Sequence, residues 1–112
     1  MSGNPSAPPP PPRGGGGGPS GNDCDLRFRT TLASPVAAVV TTLSPDDLLD
    51  LRIDDSSGAR VVVASTADGR NAGSVVDHIR QLIRCMQEGN SYSATVVAVA
   101  GGAVSVDVAR SP

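Results

Sequence analysis

Aromatic side chains are almost missing from this chain of 112 residues, which has no Trp, one Tyr and one Phe. Proteins that hold single-stranded nucleic acid stack bases on aromatic rings, and here only Phe28 and Tyr92 are at hand. Lysine is absent too, so all nine basic residues are Arg. They are scattered along the sequence, and the formal net charge is −2. Non-specific affinity for nucleic acid comes from clustered cations on phosphates, which is not this pattern. There is one His, Glu88 is the sole glutamate, and neither a nucleophile elbow nor a paired general acid and base can be found. A chain without catalytic residues, cofactor or resident metal is expected.

Cysteine is scarce as well. Cys24 and Cys85 are too few for a disulfide framework, and no apolar core of a signal sequence stands near the N-terminus. Two reduced thiols in a cytoplasmic protein are expected. No stretch approaches the ~20 apolar residues of a membrane span, so no membrane partner is expected. The abundance of Ala, Val, Gly and Arg is of the kind a GC-rich bacterial genome encodes.

What is present divides in two. Met1–Asn22 contains the runs Pro8–Pro12 and Gly14–Gly18 and almost no aliphatic residue. Such a segment cannot offset its ordering entropy, so a disordered arm with a short polyproline II rod is predicted. The remainder, Asp23–Pro112, is long enough for one small domain.

Within that domain, alternation predicts strands. Leu26, Phe28, Thr30 and Leu32 alternate with Arg27, Arg29 and Thr31. Leu49, Leu51 and Ile53 alternate with Asp50, Arg52 and Asp54. Arg60–Ser65 is a further strand dominated by Val61, Val62 and Val63, a continuous apolar run that marks a strand covered on both faces, wholly or in part. Tyr92–Val99 and Ala103–Ala109 form a hairpin around Gly101-Gly102. Ser34-Pro35 followed by Val36, Val39, Val40 and Leu43 predicts a short helix of two turns, with a strand as the second reading of Val36–Thr42. Ser74 can cap a longer helix whose apolar face is Val75, Val76, Ile79, Leu82, Ile83 and Met86, stopped by Gly89. The expected fold class is α+β and β-rich: a small bent antiparallel sheet or partly open barrel with one main helix and one short helix.

Few residues invite a chemical role. Gly69, Arg70, Asn71, Gly73 and Ser74 lie, on this reading, where the main helix begins. Free amides and the positive helix end attract anions, and Arg70 could pair with a phosphate or carboxylate. No nucleotide fingerprint is matched, so a glycine-permitted turn and cap is the plainer reading. His78 has no partner acid in sequence and reads as a surface residue. Cys24, Cys85 and His78 fall short of a zinc set. Asp46, Asp47, Asp50, Asp54 and Asp55 do not have calcium-loop spacing.

Across about residues 60–99 the sequence resembles the HIRAN domain. The resemblance lies in the apolar strand Val61–Ala64, the turn Asp68-Gly69, the step Ala72-Gly73, the amphipathic helix, and the strand pattern of Gly89, Tyr92, Ala94 and Val96. It implies an OB-like small barrel, a fold found alone or fused to DNA-processing enzymes, some of which bind single-stranded DNA ends. Two functions are therefore expected in order. The first is a non-enzymatic module for a protein partner, favoured by the charge balance and the missing aromatics. The alternative is a HIRAN-like binder of nucleic-acid ends.

Overall fold

A computed structural model of the chain describes residues 23–111. The proline and glycine runs read above as a disordered arm lie outside the described residues.

Six strands form one antiparallel sheet. They are β1 (Arg27–Thr31), β2 (Leu48–Asp54), β3 (Val61–Ser65), β4 (Asn71–Val75), β5 (Tyr92–Ala100) and β6 (Ala103–Arg110), in spatial order β1-β6-β5-β2-β3-β4. Two helices complete the fold, α1 (Ala37–Val40) before β2 and α2 (Ile79–Gln87) between β4 and β5. The sheet curls into a half-barrel, and the reason lies in its inner face. Val62, Ala64, Ala72, Ala94, Val104, Val106 and Val108 are fully buried there, with Leu49, Val96 and Tyr92 almost so. Side chains this small let the two sides of a curled sheet approach closely. The predicted alternation of β1, β2 and β6 is what the structure has, with Arg27, Arg29, Asp50 and Arg52 outward. In β3, Val62 and Ala64 join the core while Val63 and Ser65 are also buried.

The curl brings the two edge strands together along a seam. Ala33 and Ser74 form a backbone bridge with hydrogen bonds of 2.7 and 2.9 Å, and the Val36 amide donates to the Ala72 carbonyl at 3.0 Å. Farther along, side chains replace the ladder. The Thr30 hydroxyl donates to Asp77 at 2.5 Å, and the Phe28 and His78 rings lie 4.5 Å apart. Gly73 permits this approach. It has φ +153°, and a Cβ there would sit 3.0 Å from the Ala33 carbonyl oxygen and 3.1 Å from the Leu32 Cβ.

The same seam corrects the predicted start of the main helix. Asn71–Val75 is a strand, antiparallel to β3, and Ser74 caps nothing. Its amide and carbonyl are committed to Ala33. The helix begins only at Ile79, after His78 in the left-handed region at φ 56°. Val75 is accordingly a buried strand residue and Val76 is exposed. From Ile79 onward the predicted phase holds: Leu82 is fully buried, with Ile79, Ile83 and Met86 packed against the core. The first helix is also shorter than expected. Ser34 takes φ 48° and Val36 is the N-cap, leaving four helical residues with Val39 and Val40 buried. In β5 a register shift between Val96 and Ala98 resets the alternation, so Val99 rather than Ala98 packs against the core.

The expectation of two free thiols is corrected as well: Cys24 and Cys85 form a disulfide with Cα atoms 5.4 Å apart. The segment ahead of β1 folds back along α2 and so brings them together. The Gln81 side-chain amide donates to the Asp23 carbonyl at 2.5 Å, the Tyr92 hydroxyl donates to the Cys24 carbonyl, and Arg84 faces Asp23 at 3.6 Å. A cross-link spanning 61 residues contributes about 4 kcal/mol in the chain-entropy account. Burial pushes the Tyr92 phenol above its ordinary pKa. No helix among the described residues is long and apolar enough to cross a membrane.

Two substitutions check this architecture. Leu82→Ala should cost about 2–5 kcal/mol in denaturant melts, whereas Val76→Ala, on an exposed residue, should stay within about 0.5 kcal/mol. Equal losses would restore Val76 to a helix face. Gly73→Ala should cost about 1–3 kcal/mol, because the added methyl overpacks the seam, with faster amide exchange at Ala33 and Ser74 than elsewhere in the sheet. A neutral Gly73→Ala would mean that the two edges do not touch.

Candidate functional site

The turn between β3 and β4 is built by Thr66. Its carbonyl accepts the Gly69 amide at 2.9 Å, its amide donates to the Arg70 carbonyl at 2.8 Å, and its hydroxyl accepts the Arg70 amide at 3.0 Å. The same hydroxyl donates to Asp68. Gly69 supplies the left-handed step at φ 89°. Asp68 and Arg70 then emerge side by side, with Arg70 Nε 3.0 Å from the carboxylate. The Thr66 hydroxyl, with Arg70 second, holds the Asp68 carboxyl below the usual carboxylate range.

Beside this turn the loop from α1 to β2 completes an open cleft of about 450 Å³. Its apolar part is Leu43, Leu48 and Leu49, and its charged part is Asp47, Asp68 and Arg70. Leu48, the first residue of β2, leaves 58% of its surface in solvent. Asp47 is fixed by accepting the Ser44 amide at 2.8 Å. The cleft therefore offers apolar surface flanked by two carboxylates and one guanidinium.

Of the five residues singled out in the sequence, only Arg70 lines this cleft. Gly69 shapes the turn without lining it. Asn71 accepts the Gly73 amide at 2.9 Å, and Gly73 and Ser74 belong to the seam. The anion cradle expected at a helix start is corrected, since Val75, Val76, Asp77 and His78 separate Ser74 from the helix. The amides that the cradle would have used are taken within the turn and the seam: Gly69 and Arg70 donate to Thr66, Gly73 to the Asn71 side chain and Ser74 to the Ala33 carbonyl. Leu43, Asp47 and Leu48 were not anticipated at the site; a half-exposed leucine at a strand start, next to a polar turn, was the signal available.

The other candidates also find ordinary places. His78 packs against Phe28 at the seam, the two rings tilted by 49°. Cys24 and Cys85 have paired with each other. Asp54 accepts the Ser56 amide at 2.9 Å, which holds its carboxyl low. Asp107 accepts both nitrogens offered by Arg29, the shorter contact being 2.7 Å, and is held low for that reason. Among the described residues no group of three or more His, Cys, Asp or Glu side chains is placed to share a metal ion. No protein-family model matches the chain, and no curated protein or solved structure matches it either.

The turn makes a titration prediction. Asp68 ionises more readily folded than unfolded, so its contribution is present above the ordinary pKa of 3.8 and is lost as pH falls through the lower folded value. Carbon-detected NMR should place the Asp68 midpoint below 3.8. Thr66→Val should raise it more than Arg70→Ala does. The reverse order would mean that the ion pair, not the hydroxyl, governs the turn.

Proposed function

We propose that this chain is a non-enzymatic binding module, an adaptor that docks a short segment of a protein partner in the cleft beside Leu48. The observation that carries this reading is the makeup of the cleft. Leucine surface left in solvent at a concave site gains on being covered, and flanking charges supply orientation rather than bulk affinity. Two carboxylates against one guanidinium favour a segment with an apolar anchor and a cationic neighbour. They disfavour a phosphate, because Arg70 is already neutralised by Asp68.

The alternative, a HIRAN-like binder of nucleic-acid ends, draws on the resemblance over residues 60–99 and on the exposed Arg70. It has little stacking surface to use: Tyr92 is buried and Phe28 is packed at the seam.

Selection of a displayed random-peptide library on the purified full chain tests the adaptor reading. Enriched peptides should pair an apolar residue with Lys or Arg, and Leu48→Asp should weaken them at least about tenfold, as removal of a central anchor does, without altering the melt. Peptides indifferent to Leu48→Asp would sink the cleft as the docking site. Fluorescence anisotropy with oligonucleotides carrying free or blocked 3′ ends, over a salt series, addresses the alternative. No binding near physiological salt is expected; tight binding that needs a free end and is lost in Arg70→Ala would replace the adaptor by the end binder.

A further inference from the structure

The Cys24–Cys85 bridge lies in one of the least accessible parts of the domain. Cys85 is fully buried and Cys24 is 4% exposed. The backbone around Cys24 is held independently of the sulfurs, by Gln81 and Arg84 on Asp23, by Tyr92 on Cys24 itself, and by Arg110 on Asp25 at 2.9 Å. These contacts flank the bridge on both sides of Cys24.

An attacking thiolate must reach one sulfur directly, and here it can do so only after the Asp23–Leu26 segment or α2 has lifted away. Labile and regulatory disulfides are the exposed or strained ones, whereas sealed ones are structural. Structural disulfides are features of oxidising compartments and are rare where glutathione and thioredoxin keep thiols reduced. We infer that the bridge is a permanent cross-link of the working protein, and that the chain matures and acts in an oxidising compartment rather than in the reducing cytosol. The cytoplasmic expectation rested on the number of cysteines and on the missing apolar core of a signal sequence; the burial and pairing of Cys24 and Cys85 replace the first of these grounds.

The bridge forms by thiol–disulfide exchange with a disulfide-bearing oxidant, either a protein dithiol oxidase or an oxidised low-molecular-weight thiol. One cysteine thiolate attacks the oxidant's disulfide, forms a mixed disulfide and expels one oxidant thiolate. The second cysteine thiolate attacks the mixed disulfide and expels the other. Two electrons pass to the oxidant, which leaves as a dithiol, or as two thiols where it is the low-molecular-weight disulfide, with the two protons the cysteines gave up. This inference does not depend on the cleft, since it would hold for either proposed ligand, but it leaves a DNA end with few places to be met.

Acid quenching of producing cells, followed by a mass-tagged maleimide before any reductant, tests it. The full chain should carry no tag and should fractionate away from the cytosol. A main form carrying two tags, or an untagged form confined to the cytosol, would overturn the inference. A second measurement uses purified full chain in a glutathione buffer at cytosolic poise. Reduction should be at least about tenfold slower without urea than with it, since it must await local opening. Equal rates would show that the bridge is open to exchange and overturn its structural role.

Discussion

The close approach of Ala33 to Gly73 and Ser74 is the constraint on which the domain depends. A sheet of six strands leaves two edges, each with unpaired amides and carbonyls. Here the two edges meet over a short seam, through the backbone bonds of Ala33 with Ser74 and through Thr30 with Asp77 and Phe28 with His78. That meeting needs tight curvature. Curvature in turn needs an inner face of Val and Ala, and a residue without a side chain where the edges touch. The scarcity of aromatics is thus a geometric feature of the fold as much as a limit on its ligands.

The legible parts of the fold were those set by side-chain period. β1, β2 and β6 alternate cleanly, and so their faces could be assigned from Leu26, Leu49 or Val104 outward. α2 itself was legible for the same reason, since Ile79, Leu82, Ile83 and Met86 fall on one helical face. What resisted reading was set by tertiary contact. Asn71–Val75 contains a glycine, an alanine and a serine, which look like a turn and a cap; only pairing with β3 makes them a strand. The β5 bulge at Val97 leaves no mark in a run of Val and Ala. The cysteine pairing depends on where the segment before β1 comes to rest, which no spacing encodes.

The candidate site shows the same division. Arg70 was found because charge beside glycine is visible in one dimension. Its neighbours Leu43, Asp47 and Leu48 come from the loop after α1, which the sheet order carries to the β3–β4 turn because β2 and β3 are adjacent. A site assembled across strands is invisible until the register is known. Once it is known, the balance of carboxylate and guanidinium in the cleft changes which ligand chemistry the arginine can serve.

The covalent loop closed by Cys24 and Cys85 divides the chain into unequal parts with respect to breakage. Four of the six strands and nearly all of α2 lie inside that loop. A peptidase that cuts once anywhere within it, at the turn of Ser56–Gly58 or of Asp68–Gly69 for instance, produces a two-chain molecule that stays one molecule. A cut at Gly101-Gly102 has a different outcome: β6 is then retained without a covalent link, by its pairing with β1 and β5 and the burial of Val104, Val106 and Val108. The domain is thus ring-like from Cys24 to Cys85 and linear beyond, so its covalent weak points among the described residues are the turn between α2 and β5 and the tip between β5 and β6.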